Sequence, residues 1–203
     1  MEKSDLDFAG RWKTINVDGG RAQPTIYLFR HAQTYFNKNH YFTGWIDSRL
    51  TPFGRAQAKK IARKLAGKKI DVAFRTSLSR SRDTLHEVLK SHPECKAIFT
   101  DDRMIERSYG RLQGTSHGRF KRTHSDKELR LIRRSYSRPP PGGESIRMVE
   151  ARVLPFLRDL MAYMKKNRVN AAISAHGNSM RPFRRYFEKL TIRQMMELEN
   201  PWD

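Results

Sequence analysis

Cysteine is nearly absent: Cys95 stands alone among 203 residues. An internal disulfide and a cysteine metal cage are therefore excluded. Long apolar runs are missing too, and no stretch approaches the roughly 20 apolar residues that a membrane-spanning helix needs. The first residues, MEKSDLDFAGRWK, lack the apolar centre of a secretory signal. The cytoplasm is the expected location, with no membrane partner. Acidic residues are scarce: 21 Asp and Glu face 41 Lys and Arg, for a formal charge of +20. Such a field draws anions. Phosphorylated metabolites and nucleic acid share that chemistry, and charge alone does not choose between them.

What is present fits one folded domain. The length suffices for a real core, the apolar residues are clustered, and no low-complexity tract or internal repeat occurs. Residues 1–23 carry no clear periodicity and read as an N-terminal extension; residues 24–203 read as a single domain. TIYLFR (25–30) has the pattern of a strand buried on both faces. Thr51 followed by Pro52 marks a helix start, running to about Ala66. Further strands are expected at 71–76, 96–100 and 169–175. Further helices are expected at 78–90, 126–136, 145–167, from about Asn178, and at 192–199. Residues 106–120, with Gly110, Gly114 and Gly118, read as loop. Strands alternating with helices predict an α/β fold with a largely parallel sheet. The strandless excursion 106–143 is expected to cap one end of that sheet.

Arg30 and His31 close the first strand, and His176, Gly177 and Asn178 close the fourth. Open parallel sheets bind ligands at the carboxyl ends of their strands. Two histidines from distant parts of the chain are thus brought toward one crevice. The plainer reading of either histidine alone is a capped or solvent-facing residue, so the surrounding motifs carry the weight. They are RHAQTYFN (30–37), FTGWID (42–47), LTPFG (50–54), SLSR (77–80), ERSYGRLQG (106–114), RRSY (133–136) before three prolines, GES (143–145), ARVLP (151–155) and HGNSMR (176–181).

Taken in this order, the blocks closely resemble the histidine phosphatase superfamily, and within it the cofactor-dependent phosphoglycerate mutases. The resemblance covers roughly residues 25–200. It implies a three-layer α/β/α sandwich. It also implies that His31 attacks phosphorus and becomes phosphohistidine, which a neutral imidazole with an unperturbed pKa near 6.5 can do. Arg30, Arg80 and His176 would surround the phosphoryl oxygens; a guanidinium suits this because its planar fork donates several hydrogen bonds and stays charged. Asn37 and the Gly177 N–H would add donors, with the helix after Gly177 aimed at the anion. Glu106 would move the proton of the leaving and incoming oxygens; its plainer reading is a surface glutamate paired with Arg103 or Arg107. Thr43, Gly44, Tyr109, Arg133, Arg134 and Asn178 would contact substrate. For the arginines the plainer reading is a solvated basic face, since residues 119–138 hold eight basic and two acidic side chains.

The resemblance implies 2,3-bisphosphoglycerate as the phosphate donor that primes His31, no metal, small phosphorylated metabolites as partners, and a homo-oligomer, dimer or tetramer. Three departures stand out. Ala32 replaces a glycine and would crowd the nucleophile unless its φ is negative. His117 falls near a lysine contact to substrate. The sequence stops at Asp203, where mutases continue into a mobile tail that shields the site. An open site favours hydrolysis of the phosphoenzyme. A mutase interconverting 3-phosphoglycerate and 2-phosphoglycerate is the leading reading. A histidine-type phosphatase acting on small phosphate esters is the alternative. A basic nucleic-acid-binding protein, attracting polyanions nonspecifically through charge, stands third.

Overall fold

The structure is a computed structural model, and it describes residues 23–200. The N-terminal extension expected over 1–23 lies, except for Gln23, outside the described residues.

Four strands, β1 (Ile26–Arg30), β2 (Val72–Arg75), β3 (Ala97–Thr100) and β4 (Ala171–Ala175), form one sheet. Its order is β1-β4-β2-β3 and every pairing is parallel, with Arg30 opposite Ala175 and Val72 opposite both Ala171 and Ala97. Parallel neighbours need crossovers, which helices supply here. Those helices are α1 (Tyr35–Lys38), α2 (Pro52–Leu65), α3 (Ser79–Leu89), α4 (His117–Phe120), α5 (Asp126–Arg134), α6 (Ile146–Asn167), α7 (Met180–Glu188) and α8 (Ile192–Glu197).

The two faces of the sheet carry separate apolar cores, as the two-residue period of a strand dictates. Val72, Phe74, Ala171 and Ile173 meet Phe156, Leu157 and Leu160 of α6 and Phe183 of α7. Ala73 and Ala172 meet Ile61 of α2 with Leu85 and Val88 of α3. The result is the three-layer α/β/α sandwich expected from the sequence. The central strand β4 is buried throughout, whereas β1 is only half-buried. Its expected burial on both faces is corrected by its place at the sheet edge.

Local chemistry sets the helix boundaries. Thr51 caps α2, its Oγ1 accepting from Gly54 N at 2.9 Å, and Pro52 takes the first turn. Gly54 lies against the chain after β1: a Cβ there would stand 2.0 Å from the Gln33 carbonyl oxygen. Ser125 and Glu128 form a capping box at the start of α5. Residues 106–120 are not all loop. Gly110–Leu112 make a 3-10 turn, and Ser116 caps α4. Helices α5 and α8 end two residues earlier than expected, at Arg134 and Glu197, because Ser135 and Leu198 turn to extended ψ. No helix among the described residues is long and apolar enough to cross a membrane.

Candidate active site

Each strand hands the chain on to the same end of the sheet, and one group of interest follows each. His31 continues the β1 ladder, its N–H donating to Ala175 O at 2.9 Å. Its Nδ1 lies 2.8 Å from Ala32 O. A carbonyl only accepts, so Nδ1 carries the proton and the lone pair sits on Nε2. The ring is buried, and its pKa is held well below 6.5, chiefly by burial and then by the charges of Arg80 and Arg30. His31 is therefore a neutral imidazole with a free nucleophilic nitrogen. Ala32 does not crowd it. Its φ is not positive, its methyl packs with Leu50 and Ala58, and its N–H donates to Thr84 Oγ1.

His176, at the end of β4, lies with its ring centroid 5.0 Å from that of His31. Its Nε2 is 2.9 Å from Thr76 Oγ1, while its buried Nδ1 has no partner among the described residues. Burial, then Arg80, holds this ring neutral as well. A buried ring nitrogen without a partner beside His31 is a waiting hydrogen-bonding group.

Arg80 on α3 is almost wholly buried and bonds the carbonyls of Ile46 at 3.0 Å and Gly44 at 2.7 Å. Burial lowers its pKa to about 10, against the opposing pull of Glu106 and Asp47, so it stays charged. Arg30 Nη1 bonds Asn200 O at 2.8 Å. Its guanidinium lies against the Gly177 backbone, where a Cβ would come within 3.2 Å of Arg30 Cζ. Glycine at 177 is what allows that approach.

Glu106 follows β3 and does not pair with Arg103 or Arg107 through their side chains. Arg103 is engaged by Asp101 and Asp159, and Arg107 stacks 4.5 Å from the Tyr109 ring and bonds Ile132 O. The Glu106 carboxylate instead accepts from the Arg107 N–H at 2.7 Å and the Asn178 N–H at 3.2 Å. Its main chain is braced from α6. Arg152 donates to Glu106 O at 3.0 Å and to Arg103 O at 2.9 Å, and it forms an ion pair with Glu144, which also accepts from Ser108 N.

These groups surround a cavity of about 480 Å³, lined by Arg30, His31, Asn37, Thr43, Gly44, Arg80, Glu106, Tyr109, His117, Arg133, Arg134, Gly177 and Asn178. Thus every residue singled out in the sequence lines it, apart from His176, which lies fully buried against His31. Two expectations change in detail. Helix α7 begins at Met180, later than expected, and the Asn178 N–H is turned to Glu106. His117 is no substitute cation: burial, then Arg133 and His40, lowers its pKa to about 4. Asn37 spends its Oδ1 on the Thr34 cap, which leaves its NH₂ for a ligand.

His40, Arg181, Glu199 and Asn200 also line the cavity, and neither they nor Arg152 stood out in the sequence. The run HGNSMR does contain Arg181, but its contacts with Met195 O and Met196 O are not written in any local pattern. His31, Glu106 and His176 bring ligand atoms within 4.8 Å of one another, the spacing of a metal set. Arg30 and Arg80 stand over the same histidines, however, and their charge opposes a dication while favouring a phosphoryl group.

Fold and site together define an enzyme of the α/β class built to handle anionic groups at the strand ends. The chain belongs to the histidine phosphatase superfamily (branch 1), whose profile matches residues 26–201. It is 36% identical over 178 residues to a 2,3-bisphosphoglycerate-dependent phosphoglycerate mutase of Nitrobacter winogradskyi, covering 86% of each chain. A mutase of the same name from Pseudoalteromonas atlantica is 29% identical over 198 residues, covering 85% of this chain and 87% of its own. Among solved structures, a mycobacterial glucosyl-3-phosphoglycerate phosphatase superposes with a TM-score of 0.73 at 25% identity, covering 85% of this chain and 82% of its own. A protein of Bacillus stearothermophilus, YhfR, shares the fold with a TM-score of 0.77 at 20% identity, covering 89% of this chain and 87% of its own.

Proposed function

We propose that the chain is a 2,3-bisphosphoglycerate-dependent phosphoglycerate mutase, interconverting 3-phosphoglycerate and 2-phosphoglycerate through phosphohistidine at His31. The observation that carries this reading is the pair Arg133 and Arg134 at the end of α5, lining the same cavity as His31. Removing phosphate from a simple ester needs the nucleophile and its arginine frame. Moving phosphate between two oxygens of one small molecule also needs its other anionic group held while the two oxygens exchange places.

Nε2 of His31 attacks phosphorus, forming the N–P bond as the P–O bond to the leaving oxygen breaks. Arg30, Arg80 and His176 donate to the phosphoryl oxygens as charge develops. Glu106 delivers a proton to the leaving oxygen. In the return step the free 2-hydroxyl of 3-phosphoglycerate attacks the phosphohistidine phosphorus, Glu106 takes that hydroxyl's proton, and the N–P bond breaks, giving the bisphosphate; His31 then takes the 3-phosphoryl group from it and 2-phosphoglycerate is left. The bisphosphate supplies the phosphoryl group that primes His31. Tyr109, Arg133 and Arg134 hold the distal anion. Asn37, Thr43, Gly44, Gly177 and Asn178 line the near end, and His117 serves as a neutral hydrogen-bonding group.

The second reading is a histidine-type phosphatase, favoured by the likeness to the glucosyl-3-phosphoglycerate phosphatase. Phosphorus NMR with 3-phosphoglycerate separates the two. Formation of 2-phosphoglycerate, stimulated by catalytic bisphosphate and without free phosphate, supports the mutase. Steady release of inorganic phosphate overturns it in favour of the phosphatase.

A further inference from the structure

Among the described residues, the cavity walls carry five arginines (30, 80, 133, 134 and 181) and two glutamates, 106 and 199. Glu106 has a place in the proposed chemistry. Glu199 has none, and a second carboxylate in an anion-binding cavity works against its ligand. Its location is specific: the carboxylate sits 2.7 Å from Arg134 Nη2.

The segment that delivers it is tied at every residue. Arg134 Nη1 reaches Leu198 O, Arg184 Nη1 donates to Glu199 O, and Arg30 Nη1 donates to Asn200 O. The Asn200 amide donates to Gly177 O at 2.8 Å. Arg181, buried beneath, holds Met195 O and Met196 O at the end of α8. The backbone is thus fixed, while the Glu199 side chain remains largely exposed, 79% against 34% for Arg134. Ion pairs that exposed are weak, so a ligand anion can displace this one without unseating the segment.

We infer that Glu199 is a specificity-determining residue: it occupies Arg134 in the free enzyme as a stand-in for the distal anion of the substrate, which must displace it to bind. This rests on the proposed role of Arg134. A phosphate ester with a second anion exchanges one carboxylate for another at Arg134. A ligand without one leaves the pair intact and gains nothing from that end. The device lowers the affinity for the distal anion while keeping the guanidinium oriented.

The test is calorimetric titration in a His31→Ala background, which prevents turnover, with 3-phosphoglycerate and inorganic phosphate as probes. Adding Glu199→Gln should tighten 3-phosphoglycerate by about fivefold, as expected for removing an exposed competing charge, and leave inorganic phosphate unchanged. The gain should vanish when Arg134→Gln is also present. Equal tightening of both probes, no tightening, or a gain that survives loss of Arg134 would each overturn the inference. If 3-phosphoglycerate binds neither form while inorganic phosphate binds both, it is the proposed function that fails. The inference is then read from modification of Arg134 by phenylglyoxal, followed by mass spectrometry. Severalfold faster modification in Glu199→Gln upholds the masking, and an unchanged rate overturns it.

Discussion

At the scale of single residues, the proposed chemistry rests on a histidine kept neutral by its surroundings. Replacing His31 with Ala should abolish turnover and the incorporation of labelled phosphate into protein, with circular dichroism unchanged. Replacing Glu106 with Gln should lower kcat by about 10²–10⁴-fold, the usual weight of a positioned acid–base group, with little change in KM. The lowered pKa of His31 has its own signature. The neutral form persists below pH 6.5, so the His31 ring resonances should not titrate between pH 7 and pH 6 by NMR of the free protein, and a titration centred at 6.5 would contradict the assigned environment. His31, Arg80, Glu106 and His176 gather at one end of the parallel sheet because each follows a strand, His31 after β1, Arg80 after β2, Glu106 after β3 and His176 after β4. Glu199 was not legible. Its meaning comes from Arg134, a partner far along the chain, and from α8 stopping at Glu197 instead of carrying it away in helical register.

At the scale of elements, helix α6 both builds the core and steadies the site. Phe156 is fully buried between Phe74 and Phe183. Its replacement by Ala should cost about 3–5 kcal/mol in urea unfolding, whereas Phe53→Ala, at a largely exposed position, should stay within about 0.5 kcal/mol. One turn before Phe156, Arg152 braces the segment that presents Glu106. Arg152→Met keeps the packing stem and removes the donors, so kcat should fall about tenfold for a lost positioning contact. KM for 3-phosphoglycerate should be nearly unchanged; a change in KM alone would count against the brace. The major helices were legible from caps and apolar spacing, as Thr51–Pro52 and Ser125–Glu128 illustrate. Helices α1 and α4 were not, because four residues make about one turn and show no periodicity to read. The half-burial of β1 was hidden for a different reason: its apolar run resembles that of a central strand, and only the strand order reveals the edge.

At the scale of the molecule, charge and burial make stability depend on pH. His31, His176 and His117 all have folded pKa values below 6.5, about 4 for His117. As pH falls, the unfolded chain takes up protons first, so stability is complete above about pH 6.5 and declines as pH drops toward the folded values. Urea midpoints should fall between pH 7 and pH 5, and His117→Asn should flatten that slope. The formal charge of +20 should also retain the protein on heparin. Release by modest salt would mark a counterion effect, not a built polyanion site.

The pairing of β1 with β4, which sets Arg30 opposite Ala175, also ties activity to the completion of folding. The proposed nucleophile and its partner histidine are 145 residues apart and become neighbours only when β1 docks against β4. Contacts of such high sequence separation form slowly, because the intervening loop must close before they are rewarded. An emerging chain therefore carries His31 early but remains inert until β4 arrives. During refolding, recovery of activity should follow that last strand pairing, not the earlier growth of helix content.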